Sequence, residues 1–489
     1  MSKTPFTPFN IKMLKGQKEE VFRGGKEEYA KVSDTFLSAG IRKILVVGYG
    51  SQAPSQASNL VKTLEGSEVK VSIGLREGSK SFDDAVKAGF SVANGTLGEM
   101  YSMIPKYDMV ILLISDAAQV ENYEEVFKLL KKDATIGFSH GFLLGHLQSE
   151  NKKWPREDVD IIAVCPKGMG PSVGKLYDQG SGINCSYAVD QDASGYAKKT
   201  ALAWAMALHA PSIFKTTMEM EYRSDIFGER GVLLGGLHGL VETLYRIALE
   251  NGENPKKAFN RIVNNITGPI SKAISRVGLV GVVDYISENA GKKDFEKFVI
   301  AYNKSYAASK PILEEIYDEV KSGNEIRSVV MAGRRTSEVL PKDINKTPMW
   351  RVGKKVKNIY DTSSDKKLLK KIDAEVAGAY IAMMMAQVDV LLKNGHSGSE
   401  IANESIIESV DSLNPFMEKL GVDGMVDNCS NTARCGSKKW KPRFEDSLYV
   451  EFTKKGGKAK NYLDNFSANP IHKALTECLK LRPDVDMLV

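Results

Sequence analysis

The stretch Lys43-Ile44-Leu45-Val46-Val47-Gly48-Tyr49-Gly50-Ser51-Gln52-Ala53 limits what this chain can fold into more than any other. Its first half is a β-branched apolar run that reads as a buried strand, and residues 55–65 carry a helical pattern. Between them lies a Gly-x-Gly-x-x-Gly/Ala turn, with Ala53 at the third glycine position. Strand, glycine turn and helix in that order form the dinucleotide fingerprint, in which backbone N–H groups and a helix N-terminus face a pyrophosphate. Gly48, Tyr49, Gly50, Ser51 and Gln52 are therefore expected to contact a cofactor. Further strand-like runs at 69–75, 109–114, 134–138, 160–164 and 185–189 alternate with helical patterns such as 123–131. They predict an α/β domain with a doubly wound, mostly parallel sheet over residues 1–191, of which 1–42 form a leading arm.

The residues after the second strand set the cofactor. An NAD enzyme needs an acid there for the ribose hydroxyls. This chain has Arg76, then Ser79, Lys80 and Ser81; a guanidinium with two hydroxyls suits a 2′-phosphate, so NADPH is expected. Glu77 beside Arg76 offsets part of that charge. Ligands of such sheets lie outside the carboxyl ends of the strands. Ser115, Asp116, Gln119, His140, Lys167 and Gly168 all fall there.

The second half of the chain is marked by carboxylates. Asp225 and Glu229 stand four apart in Ser-Asp-Ile-Phe-Gly-Glu-Arg-Gly, residues 224–231, so on a helix they share one face. The apolar, glycine-rich run 232–237 reads as buried, and two like charges on one buried turn call for a cation between them. A solvated turn paired with Arg223 or Arg230 is the plain alternative for this segment taken alone.

From about residue 192 the chain reads as helical and repeats itself. Asn251-Gly252 recurs as Asn394-Gly395, and residues 277–284 (VGLVGVVD) recur as 420–427 (LGVDGMVD), both at an offset of 143. Two anchors at one offset predict a duplicated all-α domain over 192–489, with copies at about 221–335 and 374–480 and a crossover linker at 336–373. The second copy carries Glu404 and Glu408 where the first has Arg261 and Asn265. A pseudo-twofold packing would gather all four carboxylates, and hard oxygen ligands without nearby His or Cys suit Mg2+ rather than zinc.

The chain is 42% hydrophobic and 26% charged, and its net charge of +6 is spread among mixed signs, which argues against a nucleic-acid partner. Five scattered cysteines read as reduced thiols of an intracellular protein. The longest apolar stretch, 377–392, is interrupted by Gln387 and Asp389 and is short for a membrane span, so no membrane partner is expected.

Eight ordered blocks together resemble ketol-acid reductoisomerase (acetohydroxy-acid isomeroreductase) in its long, plant-like form. They are GYGSQ at 48–52, GLREGS at 74–79, LISDAAQ at 113–119, SHGFLLGH at 139–146, PKGMGPSV at 166–173, the 224–231 segment, NESIIESVDSLNPF at 403–416 and DNCS at 427–430. The resemblance implies migration of an alkyl group in 2-acetolactate or 2-aceto-2-hydroxybutanoate, followed by reduction with NADPH, using two Mg2+ ions. It implies that Asp225 bridges the ions and Glu229 ligates one, while Glu404 and Glu408 hold metal-bound water and substrate, Glu408 moving the proton. Ser430 would bind the substrate carboxylate, Lys167 would stabilise a metal-bound oxygen, and His140 would lie between nicotinamide and substrate. Leu233, Leu234, Leu413, Met169 and Cys429 would wall the migrating group. A knotted helical core, a homodimer whose chains each complete their own site, and a bacterial cytoplasmic or plastid stromal location are further expectations. The alternative is a metal-independent NADP-dependent hydroxyacid dehydrogenase, which would need no four-carboxylate cluster.

Overall fold

The computed structural model describes residues 4–12, 14–334, 347–356, 360, 365–426, 428–455 and 460–481. Its ten described strands form one sheet: β1 (Pro8–Lys12), β2 (Lys18–Arg23), β3 (Lys43–Val47), β4 (Lys70–Leu75), β5 (Leu97–Glu99), β6 (Met109–Leu112), β7 (Thr135–Phe138), β8 (Asp160–Pro166), β9 (Cys185–Gln191) and β10 (Ser212–Lys215). The order is β1-β2-β10-β9-β8-β7-β6-β3-β4-β5. β5, β4, β3, β6, β7 and β8 run parallel, and the order reverses between β3 and β6, where such sheets open a crevice for ligands. β3, β6, β7 and β8 are buried almost throughout because helices cover both faces, which is why they read as continuous apolar runs.

Three features differ from the sequence expectation. β9 pairs antiparallel with β8. The leading arm is also part of the sheet, because β2 pairs antiparallel with β10 and β1 with β2. β10 and the buried helix Ala197–Ala207 lie beyond residue 191, so the sheet layer runs on to about residue 215. Short, partly charged strands such as β2 carry little local signal, and only their long-range pairing identifies them.

From Met218 onward every described element is a helix or helical turn. Helices Lys292–Lys321 and Ala374–Lys393 pack along each other at the centre. Met218–Glu250, Pro255–Asn289 and Ala374–Lys393 are long and apolar enough to cross a membrane by length and composition, yet 78%, 61% and 83% of their apolar windows are buried inside the protein. Gln387, which interrupts the last of them, is fully buried.

The same irregularities recur 143 residues apart. Consecutive π turns occupy Asn260–Asn264 and Ile266–Ile270, and again Asn403–Ile407 and Ser409–Leu413. The helices after them are each broken at a glycine, Gly278 (φ 72°, ψ 177°) and Gly421 (φ 77°, ψ −179°). Packing is reciprocal: Ser271–Asn289 lies on Ser409–Leu413, and Asn414–Val426 lies on Ile266–Ile270. Asn414 Nδ2–H donates at 2.8 Å to Ser271 Oγ, its counterpart 143 residues earlier. The expected linker 336–373 contains the helices Pro348–Gly353 and Asp365–Leu369, while 336–346, 357–359 and 361–364 lie outside the described residues, as does Asp427 of the second anchor.

Candidate active site

The turn after β3 is shaped by contact as well as by glycine. Gly48 has φ 101°, and a Cβ there would lie 2.9 Å from the Leu113 carbonyl. Gly170 packs so closely on the turn that its Cβ would meet Ser51 O at 1.8 Å. Gln52 Nε2–H donates to Gly168 O at 3.1 Å, joining the fingerprint to the loop after β8. Ala53 is fully buried and opens the helix Ala53–Thr63, a position where a small side chain permits close helix–sheet packing.

A cavity of about 720 Å³ opens at the carboxyl ends of β3, β6 and β7 and is walled on its far side by the helices. Gly50, Ser51, Gln52, Ser115, Asp116 and Gln119 line it from the sheet side. His140, Gly168 and Met169 also face it. The helical side contributes Asp225, Glu229, Glu408 and Ser430, with Leu233, Leu234, Leu413 and Cys429 as the apolar wall. Lys167 and Glu404 lie just behind, almost wholly buried and ion-paired with each other. Arg76 is exposed at the end of β4, and Ser79 and Ser81 are half-buried in a turn closed by Ser79 N–H donating to Arg76 O. These three, with Gly48 and Tyr49, do not line the cavity.

Asp225 and Glu229 share one face of Met218–Arg230, a helix capped by Thr217. Glu404 sits on the first of the two π turns and Glu408 between them, and this wider coil is common at functional positions. Gln387 ties the two elements together. Its Oε1 accepts Val232 N–H at 2.8 Å, and its Nε2–H donates to Glu404 O at 3.3 Å. Arg261 and Asn265, 143 residues before Glu404 and Glu408, instead hold the approach to Ala374–Lys393. Arg261 pairs with Glu253 and Glu375, and Asn265 bonds Lys371 O and Asp373 N–H.

The charges are concentrated and poorly screened. His140 lies between carboxylates, Nδ1 at 3.4 Å from Asp116 Oδ2 and Nε2 at 3.1 Å from Asp225 Oδ2. Burial works to discharge it, but Asp225 and Asp116 hold the imidazole protonated well above its usual range. Burial also opposes the charge on Lys167, and Glu404 and Glu221 more than offset that, keeping it a cation. Burial, then Asp225, pushes Glu229 up to about 8. Burial pushes Glu404 up to about 8, with Lys167 acting against it. Burial, then Glu404, raises Glu408 well above the carboxylate range.

Glu404 Oε2 and Glu408 Oε2 are buried without a hydrogen-bond donor, and Glu404 Oε1 has only Lys167. Carboxylate oxygens left that way are unfavourable unless protonated or bound to a cation, and an all-oxygen set favours a hard divalent ion. Among the described residues no three such side chains are arranged as they stand to close on one ion. The donor chemistry therefore fits divalent metal, with side-chain rotation needed to bring the oxygens together.

Two acids outside the expected set prove to be part of the arrangement. Glu221 lies four residues before Asp225; its Oε2 accepts Gly141 N–H at 2.6 Å and its Oε1 is 3.3 Å from Lys167 Nζ. Glu400 lies four before Glu404 and is satisfied by His396 Nδ1 at 2.9 Å, Thr216 Oγ1 at 2.9 Å and Ser224 Oγ at 3.2 Å. The four-residue spacing that revealed the other acids runs through both. On the proposed pairing of the acidic turn, Arg223 pairs with Glu219 and Arg230 does bond Glu229, but Arg230 is fully buried rather than solvated.

The family model "Acetohydroxy acid isomeroreductase, NADPH-binding domain" matches residues 40–212, and "Ketol-acid reductoisomerase, C-terminal domain" matches 218–362 and 374–455. The chain is 50% identical over 493 residues to the chloroplastic ketol-acid reductoisomerase of Spinacia oleracea, covering 97% of this chain and 81% of that protein. It is 48% identical to the chloroplastic protein of Pisum sativum, covering 97% and 83%. A solved NADH-preferring ketol-acid reductoisomerase from an uncultured archaeon matches with TM-score 0.53 and 27% identity, over 64% of this chain and 93% of that one.

Proposed function

The chain belongs to the ketol-acid reductoisomerase family, and from that premise we propose how its residues divide the reaction. As an oxidoreductase with isomerase activity in branched-chain amino-acid biosynthesis, it would act on 2-acetolactate and 2-aceto-2-hydroxybutanoate with NADPH and two Mg2+ ions. One observation carries the reading: Asp225, Glu229 and Glu408 line the same cavity as the dinucleotide turn. Glu404 reaches that cluster from behind through Lys167.

Divalent ions at these carboxylates would supply what migration requires, a deprotonated hydroxyl beside a polarised carbonyl. The chain's own groups do the rest. Glu408, whose burial favours the protonated form, holds and releases a proton at the substrate. Lys167, kept cationic by Glu404 and Glu221, stabilises negative charge on oxygen. Ser430 Oγ–H, which meets Glu229 Oε1 at 3.4 Å, would turn to a substrate carboxylate, and His140 stands where nicotinamide and substrate meet. Leu233, Leu234, Leu413, Met169 and Cys429 exclude water from the migrating alkyl group. Arg76, Ser79 and Ser81 take the 2′-phosphate; the neighbouring Glu77 and an NADH-preferring relative make the choice of cofactor a matter of degree.

We further propose that residues from about 218 are two copies of one helical unit packed about a pseudo-twofold axis. The recurrent π turns, the broken helices at Gly278 and Gly421, and the Ser271–Asn414 bond support this. The knotted path and the homodimer are carried by family membership, and the chloroplastic names of the two plant relatives favour the plastid stroma of the two compartments considered.

The test follows NADPH absorbance with 2-acetolactate, with and without Mg2+. Asp225→Asn should lower turnover by a factor on the order of 10² or more. It should keep NADPH binding and measurable reduction of the rearranged ketoacid supplied directly. Wild-type consumption of 2-acetolactate by Asp225→Asn, or turnover without divalent metal, would favour the metal-independent dehydrogenase.

A further inference from the structure

Arg230 ends the helix Met218–Arg230 and is fully buried, a costly place for a cation that cannot be discharged. Its Nε–H donates to Glu325 Oε2 at 2.8 Å, and its Nη1–H donates to Glu229 Oε2 at 2.8 Å. Glu325, on the helix Asn324–Gly333, is itself buried. Its other oxygen accepts Trp440 Nε1–H at 2.9 Å and a bond from Lys439. The guanidinium rests against Gly436, where a Cβ would lie 2.6 Å from Arg230 Cζ. Glu229 keeps its Oε1 on the cavity side, 3.4 Å from Ser430 Oγ.

We propose that Arg230 is a positioning residue: anchored by Glu325 and seated on Gly436, it holds one oxygen of Glu229 and so presets the other for a divalent cation. This rests on the reading of Glu229 as a metal ligand. A carboxylate already fixed in one rotamer loses little freedom on ligation, whereas a free one must be ordered first. Glu325 and Gly436 touch neither the cavity nor the dinucleotide turn, so their effect should appear in metal affinity and not in cofactor affinity.

Calorimetric titration with Mg2+ alone, beside NADPH titration, tests this. Glu325→Gln keeps the shape of the anchor but removes its charge. Gly436→Ala pushes on the guanidinium without altering any charge. In each, the Mg2+ dissociation constant should rise by about tenfold or more, the scale at which groups orienting a metal ligand act. NADPH affinity should stay close to wild type, and kcat should return at saturating Mg2+. Unchanged Mg2+ affinity in a folded variant, or Mg2+ and NADPH affinity falling together, would overturn the proposal. If Gly436→Ala does not fold, Glu325→Gln decides; if neither folds, Arg230→Lys, which keeps the charge but loses the fork, is read the same way. Asp225→Asn separates the two readings. Should it bind Mg2+ like wild type, the metal centre itself is wrong; should it lose Mg2+ while Glu325→Gln and Gly436→Ala keep it, only the role of Arg230 falls.

Discussion

At the scale of single residues, the site is governed by what each acid has for company. Glu221 and Glu400 are fully provided with donors, while Glu404 and Glu408 carry oxygens that have none. That difference has a consequence for pH. Glu229 and Glu404 are raised from the usual 4.5 to about 8, so between those values the metal-free folded protein holds protons that the unfolded chain has released. A raised group contributes stability that is fully present below its unfolded pKa and is lost as pH rises through its folded pKa. Stability of the metal-free protein should therefore decline between about pH 4.5 and 8 from these groups, and Mg2+ should flatten the decline by displacing their protons. Calorimetry in buffers of different ionisation heat checks this: net proton release on Mg2+ binding is expected, and none would contradict it. Arg76 supports a separate prediction. It is exposed, so Arg76→Ala should leave the fold intact and weaken NADPH binding by about 1.5–3 kcal/mol, the worth of hydrogen bonds to a charged group. NADH binding should scarcely change, and equal losses for both cofactors would remove Arg76 from the 2′-phosphate.

At the scale of elements, the broken helices after the π turns carry a prediction about stability. Gly278 and Gly421 adopt a positive φ with extended ψ, a region that side chains avoid at a cost of about 1–3 kcal/mol. A Cβ at Gly421 would meet nothing within 4 Å, and at Gly278 only Leu475 at 3.9 Å, so the cost of adding one is conformational and not steric. Gly278→Ala and Gly421→Ala should each lower stability by that amount, read as similar shifts in a denaturant or thermal melt. A strong effect at one glycine and none at the other would count against the proposed duplication. The buried Gln387 also acts at this scale. In sequence it is an interruption of an apolar stretch; in the fold it links the turn after Arg230 to the π turn that carries Glu404.

At the scale of the whole molecule, the cavity exists because the sheet and the helices meet along it. Ser51 Oγ–H donates to Asn428 O at 2.7 Å, Thr432 bonds Asp116, and Ser412 Oγ accepts Met169 N–H at 3.1 Å. Asn184 Nδ2–H reaches Asn403 Oδ1 at 2.9 Å across the same junction. The long form of the family is proposed to complete each site within one chain, with residues of both the sheet and the helical part lining the cavity. Specific activity should therefore hold constant on dilution through the range where a dimer dissociates, followed by sedimentation at matched concentrations. A loss of activity that tracks dissociation would mean that a partner completes the site.

Features with a short period were legible before any fold was known. A strand–turn–helix signal set the cofactor fold, and acids every four residues marked two helical faces. These were legible because helix and strand periods are written locally, as are the glycines of a tight turn. Tertiary structure decided the direction of β9, the entry of the leading arm into the sheet, and which acids are neutralised. Lys167 meets Glu221 across 54 residues, Arg230 meets Glu325 across 95, and Glu400 meets Ser224 across 176. No local pattern records such pairings, yet burial makes them decisive, since a buried charge is tolerated or not according to the partner the fold brings to it.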